Sequence, residues 1–327
     1  MTPAAYAPLA AAAITIALIA WMLRGGVRLP LDIPNERSLH QRPVPRSGGL
    51  AIMAGVLAGL AILQTPLAIA LPTAILVAVS HFDDLRGLPA FVRFAVHLAA
   101  AAGFTALAFT GLPLPLLCLI VVGIVWSANL YNFMDGSDGL AGGMTLLGFG
   151  FLGAGAWSGG DDALMLASLV VAASAVGFLV FNFPPARIFM GDAGSVPLGF
   201  LAAAFSLAGW RDGDWPFWFP ALVFAPFIVD ATLTLAKRML RGERFWLAHK
   251  THYYQRLVQM GWSHRRTALA EYALMILSGS SALWALGQAP YLQFAAVLCM
   301  AALYVVAIVS IDLAWNRRRK NNIALEP

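Results

Sequence analysis

Five aspartates, Asp83, Asp84, Asp135, Asp138 and Asp192, fall in short polar segments that interrupt an otherwise apolar chain. The segments are His81–Arg86, Asn129–Gly139, Asn182–Ser195 and Ala248–His252. Carboxylates gathered at one place repel each other unless a cation shares them. Such hard oxygen ligands suit Mg²⁺, with Mn²⁺ as the alternative ion, and water and phosphate oxygens complete the shell. Any one of these aspartates reads equally well as a helix cap or as the partner of an interfacial arginine. Five together, with Asn and Gly neighbours that allow tight turns, read as a metal and phosphate site at a membrane face. Gly136, Gly139, Gly191 and Gly194 would let backbone N–H groups approach phosphate oxygens.

Basic and aromatic residues extend the pattern. His249 and His252 are three apart, on one face if the stretch is helical. No third ligand or glutamate base accompanies them at zinc-site spacing. With Lys250 and Arg256 they describe a cationic patch suited to a diphosphate. Arg187 follows Pro184-Pro185 between Asn182 and Asp192 and is a further phosphate-binding candidate. Asp230 and His97 lie inside apolar runs and read as helix-packing groups, and Asp312 and Glu271 as interfacial ones. Acids for a divalent ion, backbone donors and cations make up the inventory of phosphoryl transfer. Residue types alone do not choose the donor or the acceptor.

The elements that must position these groups are membrane spans. Of 327 residues, 60% are hydrophobic and 11% charged, and the mean hydropathy is +0.76. A soluble domain carries about 25% charged residues. A disordered tail, a coiled coil, a disulfide scaffold and a soluble DNA-binding domain are excluded, and Cys118 and Cys299 both sit in apolar runs. Eleven spans are predicted, at about 4–23, 49–64, 67–82, 90–110, 112–130, 139–157, 163–181, 195–210, 215–236, 268–287 and 290–314. The first has no positive residue ahead of it and reads as a retained span rather than a cleaved signal. Alternate loops hold 20 of the 21 Lys and Arg residues, leaving only Arg211 on the other side. The expectation is therefore an N-terminus outside and a C-terminus in the cytoplasm. Topology and anionic lipid account for the positive charge, so nucleic acid is not a partner. The fold expected is all-α and polytopic, one membrane domain over 1–327. Its active-site loops face the cytoplasm at about 24–48, 83–90, 129–139, 182–195 and 237–267.

The ordered motifs resemble those of the polyprenyl-phosphate N-acetylhexosamine-1-phosphate transferases, glycosyltransferase family 4. The segments that carry the resemblance run from Asp32 to Arg266. They are Pro34-Asn35-Glu36-Arg37 with Pro45-Arg46-Ser47-Gly48-Gly49, Asp83-Asp84, Asn129 through Ala141, Pro185 through Ser195, and His249-Lys250-Thr251-His252. The resemblance implies a bacterial inner-membrane enzyme that joins the sugar phosphate of a UDP-N-acetylhexosamine to undecaprenyl phosphate and releases UMP. It implies Mg²⁺ on the donor diphosphate, with Asp192 and Asp84 as metal ligands and Asp83, Asp84 and Asp192 as the catalytic set. One of the Asp83-Asp84 pair would deprotonate or orient the lipid phosphate. Asn132, Asp135, Asp138 and Asn182 would line the nucleotide-sugar pocket and Phe189 would stack on uracil. His249 and His252 would contact the donor phosphate or its covering loop, and Arg46 and Arg187 would belong to the substrate-binding set. The bilayer is itself a partner, and a homodimer is the oligomer to test.

Departures from the family's patterns point to a branch. The peptidoglycan branch, which transfers phospho-N-acetylmuramoyl-pentapeptide, shows three adjacent histidines and a lysine three residues after the double Asp. Here the motif is His-Lys-Thr-His and position 87 is Gly. The chain is closer to enzymes that initiate lipopolysaccharide O-antigen, common antigen or teichoic acid. A secondary transporter using Asp230 and His97 is the competing class, but the charges gather at one face rather than at mid-membrane. The Asp-Gly-x-x-Ala-Arg pattern of CDP-alcohol phosphotransferases is absent.

Overall fold

The computed structural model describes residues 3–34, 38–244, 247 and 249–323. Helices dominate: α1 (Ala7–Trp21), α2 (Gly48–Ile62), α3 (Leu67–Arg86), α4 (Ala90–Ala108), α5 (Leu114–Phe133), α6 (Leu140–Gly159) and α7 (Asp162–Asn182). Then follow α8 (Asp192–Asp212), α9 (Trp218–Val223), α10 (Ala225–Leu240), α11 (Tyr253–Gln259), α12 (His264–Leu286) and α13 (Pro290–Ile323). A two-residue ribbon, β1 (Leu31–Asp32) antiparallel to β2 (Val44–Pro45), ties down the loop after α1. Prolines 66, 89 and 113 stand immediately before α3, α4 and α5, where a missing N–H costs nothing. The Asp161 carboxylate caps α7 by accepting the Leu164 N–H at 2.8 Å.

All eleven predicted apolar segments form helix, but not eleven uninterrupted spans. Among the described residues nine helical segments are long and apolar enough to cross a membrane. The second, α2, has 15 residues and falls short of the roughly 20 needed. The ninth predicted span is broken into α9 and α10 at Phe224. Pro226 lies in the first turn of α10, where its ring and missing N–H cannot continue the helix before it. The third span runs on to Arg86, so Asp83 and Asp84 stand in its last turn rather than beyond it.

The helix α8 is the axis of the bundle. It packs against α2, α3 and α5, and 83% of its apolar window is buried, against 11% for α13, whose surface faces outward. A second group, α1, α2, α6 and α7, packs alongside, and α12 lies against α6 and α9. Small residues set the closest approach. A Cβ on Gly49 would lie 2.3 Å from the Gly194 nitrogen, so α2 and α8 cross with their backbones in contact. Buried hydroxyls are satisfied locally: Thr73, Thr105 and Thr145 donate to the carbonyls four residues before them at 2.7–2.8 Å.

Polar residues separate to the two ends of the bundle. The double Asp, the Asn-rich loop, the Asp192 turn and the His249–His252 stretch share one end. Arg211 lies at the other, paired with Asp212 and donating to the Ala108 carbonyl. That is the segregation the charge count predicts.

Candidate active site

Gly191, with φ +73°, turns the chain into α8 and places Asp192 at its first position. A Cβ at residue 191 would meet Arg46 Cγ and Asp84 Oδ2, each at 3.0 Å, so only glycine fits without strain. The Asp84 carboxylate reaches across from α3 and accepts the N–H groups of Asp192 at 3.3 Å and Ala193 at 3.1 Å. It thereby sits on the positive end of the α8 dipole. Arg46 Nη2 closes on Asp84 Oδ1 at 2.8 Å. Asp192 points into the open instead, and its Oδ1 accepts the Asn132 amide at 2.9 Å. Asp83 accepts the Leu88 N–H through one oxygen. Its other oxygen lies 3.2 Å from the Arg93 guanidinium, and the same guanidinium nitrogen stands 3.9 Å from Asp192 Oδ2. Arg93, in the first turn of α4, therefore joins the first Asp of the pair to the acid at the head of α8.

In front of these groups opens a cavity of about 300 Å³, the lower end of the ligand-pocket range. Acidic and basic side chains line it, Asp32, Arg46, Asp135, Asp138 and Asp192. Phe189 and His40 add aromatic surface, meeting edge to face with ring centroids 5.0 Å apart. Ser137, Asn182, Gln255 and His264 add further hydrogen-bonding groups. Burial, reinforced by the neighbouring carboxylates of Asp192 and Asp84, pushes the Asp135 pKa well above the usual carboxylate range.

Crowded negative charge is what a divalent ion relieves, so the donor set fits Mg²⁺ in chemical type. Among the described residues, however, no three His, Cys, Asp or Glu side chains gather as a metal-binding group. The expected metal ligands Asp192 and Asp84 lie together at the head of α8 but are engaged differently. Asp84, with both oxygens engaged by protein donors and its side chain 3% exposed, is held behind the site rather than in it. Asp135 and Asp192 line the cavity, and Asp32 and Asp138 line it as well. Two carboxylates with water and phosphate oxygens are a sufficient magnesium shell.

Seven of the expected site residues line this cavity: Arg46, Asn132, Asp135, Asp138, Asn182, Phe189 and Asp192. Asn182 is a brace within it. Its Oδ1 accepts the Gly139 N–H and its Nδ2 donates to the Ile188 carbonyl, both at 2.9 Å, which locks two loops together. Asp138 accepts the Ala186 N–H at 3.0 Å.

Arg187 is not brought to the cavity. It is exposed on the far side of its loop, stacked 4.8 Å over Phe181, because the Asn182 brace turns the chain outward there. His252 is buried, its Nδ1 3.2 Å from Asp230 Oδ1. Asp230 also accepts the Tyr253 and Tyr254 N–H groups, which makes it the anchor of α11. His249 stacks on His252 at 4.8 Å, and burial together with that ring pushes its pKa down to about 4. A neutral His249 and an Arg256 committed to Asp312 and the Thr251 carbonyl do not make the expected cationic patch. Asn35, Glu36 and Arg37 of the first motif, and Ala248 of the last, lie outside the described residues.

The structure also adds residues. Arg93 reads in the sequence as one more topological charge, and nothing local distinguishes it from a lipid-facing arginine. His40, Ser137, Gln255 and His264 enter the cavity from segments 38–40, 135–139 and the starts of α11 and α12. His264, two residues past a tryptophan at a helix start, carries no motif of its own.

Comparison with known proteins agrees with the motifs. The family model for Glycosyl transferase family 4 matches residues 66–210, the stretch from α3 to α8 that carries the double Asp, the Asn-rich loop and Asp192. A probable undecaprenyl-phosphate N-acetylglucosaminyl 1-phosphate transferase of Bacillus subtilis (strain 168) is 34% identical over 273 residues, covering 77% of this chain and 76% of that protein. A decaprenyl-phosphate N-acetylglucosaminephosphotransferase of Mycobacterium leprae is 31% identical over 320 residues, 81% and 80% of the two chains. A phospho-N-acetylmuramoyl-pentapeptide-transferase of Staphylococcus aureus (strain JH9) is 30% identical over a shorter 192 residues, 58% and 59%. With these similarities spread over an all-α, multi-pass bacterial membrane protein, the chain belongs to glycosyl transferase family 4, the polyprenyl-phosphate N-acetylhexosamine-1-phosphate transferases.

Proposed function

We propose that the chain transfers N-acetylhexosamine 1-phosphate from a UDP-N-acetylhexosamine to undecaprenyl phosphate in a Mg²⁺-dependent reaction. This would be the first membrane step of O-antigen or a related surface polysaccharide. An oxygen of the lipid phosphate attacks the sugar-bearing phosphorus; that bond forms as the bridge to the second phosphorus breaks, and UMP leaves. The observation that carries the reading is the head of α8. There Asp192 faces a polar cavity, held by Asn132 and flanked by Arg46 and Arg93. Mg²⁺ on Asp192 and Asp135 would neutralise the donor diphosphate. Arg46 and Arg93 add positive charge where the leaving oxygen becomes negative. Asp83 orients Arg93, and Phe189 with His40 offers a platform for the base. The longer coverage of the N-acetylglucosamine-named relatives supports this branch over the pentapeptide one.

Purified protein in detergent, given UDP-N-acetylglucosamine, undecaprenyl phosphate and Mg²⁺, is expected to release UMP. EDTA should stop release and added Mg²⁺ restore it. Asp192→Ala should lower it by at least about 100-fold, the scale of losing one electrostatic stabiliser of the transition state. Full activity in that variant would overturn the site assignment. A panel of UDP-sugars read by the same assay identifies the donor.

A further inference from the structure

His264 occupies a position that the family motifs do not assign. Its side chain, in the first turn of α12, lines the cavity together with Arg46 and Asp192. Nδ1 lies 2.9 Å from the Ser137 hydroxyl, and Nε2 lies 3.4 Å from the Leu39 carbonyl. When Ser137 donates to Nδ1, the ring proton resides on Nε2, which faces the Leu39 carbonyl at a distance long for a hydrogen bond. Asp138 Oδ1 stands 3.9 Å from Nδ1, the nitrogen that faces Ser137, beyond hydrogen-bond range, while its Oδ2 is committed to the Ala186 N–H. The cavity lining thus holds an N–H donor at Nε2 and a carboxylate acceptor on the Nδ1 side of the same ring. That pairing suits a hydroxyl group, which gives one hydrogen bond and takes another, better than it suits a phosphate. Leu39 precedes His40, the edge partner of Phe189, so this pair adjoins the aromatic platform.

We propose that His264, with Asp138, is a specificity-determining residue that hydrogen-bonds a ring hydroxyl of the nucleotide sugar. The inference rests on the proposed transferase reaction. Two rings carry such hydroxyls, the ribose and the hexosamine. The test measures UMP release by wild type, His264→Ala, His264→Gln and Ser137→Ala with UDP-N-acetylglucosamine, its 4-epimer and its 2′-deoxyribose analogue. KM for the donor should rise about tenfold in His264→Ala, the scale of one lost hydrogen bond, and more than kcat falls. His264→Gln, which keeps an N–H, should recover part of the loss, and Ser137→Ala should show a smaller one. Discrimination should shrink against the 4-epimer if the hexosamine is held, or against the deoxy analogue if the ribose is. Unchanged donor KM and unchanged discrimination in both His264 variants would overturn the proposal. So would equal rises in donor and lipid KM accompanied by a lower melting temperature, the signature of a brace between α12 and the 135–139 loop. Absence of UMP release by the wild type with every donor would instead remove the transferase reading, and this inference with it.

Discussion

Neighbouring identical side chains have different work at this site. Asp83 and Asp84 are adjacent, yet one holds Arg93 and the other caps α8 and holds Arg46. Asp84→Ala would leave a buried helix terminus and a guanidinium without their acceptor. Hydrogen bonds to charged groups contribute about 1.5–3 kcal/mol each, so a loss of about 3 kcal/mol is expected, seen as a lower unfolding temperature in detergent as well as lower activity. Stability equal to wild type would contradict the capping role. His249 supplies a pH test. Burial, then the neighbouring His252 ring and the Arg238 guanidinium, brings its pKa down to about 4, below the 6.5 of the free ring. As pH falls, the unfolded chain takes up the proton first. The stability contributed by the neutral ring is therefore complete above about pH 6.5 and is lost between there and about pH 4. His249→Gln should flatten the stability curve across that window, and melting temperatures at pH 5 and pH 7 measure it.

At the scale of elements, the site depends on how closely helices approach. Gly49 and Gly194 let α2 lie against the first turn of α8, the turn that presents Asp192. Gly49→Ala must push the helices apart, since its Cβ would fall 2.3 Å from a backbone nitrogen. Overpacking of this kind costs about 1–3 kcal/mol, and the displaced Asp192 should lower kcat at least tenfold. Wild-type kcat in that variant would show that α8 tolerates the shift. Asp161→Ala is the contrasting case. It removes the α7 cap at the opposite end of the bundle, so about 1 kcal/mol of stability should go while UMP release per folded molecule is retained. The break between α9 and α10 serves the site too: Asp230 of α10 gathers the N-terminus of α11, and α11 brings Gln255 to the cavity.

For the whole molecule, apolar side chains such as Phe91, Leu119 and Phe294 lie exposed around the bundle, as lipid rather than water requires. The 34 residues of α13 make a rod of about 51 Å, longer than the roughly 30 Å of hydrocarbon it must cross. Its surplus stands at the active-site end, where Asp312 meets Lys237 and Arg256. The charge asymmetry predicts that this end is cytoplasmic. A fluorescent protein fused after residue 327 should fluoresce in cells, and a periplasm-dependent alkaline phosphatase fused there should be inactive. The reverse pattern would put the cavity on the wrong side for a UDP-sugar.

Hydropathy and charge are properties of each segment, so the membrane class, the helical segments and their two-ended polarity were legible without coordinates. The long motifs were legible as well, because Asn129 through Gly139 and Asn182 through Ser195 concentrate chemistry in short stretches. What the tertiary structure decided was the use of each group. Asp84 meets the backbone of Asp192 across a chain separation of 108 positions, and His264 meets Ser137 across 127. Which oxygen is spent on a helix terminus, which histidine is buried under Asp230 and which one enters the cavity all depend on helix rotation and close approach. Those are set by packing between distant segments, and no local pattern encodes them.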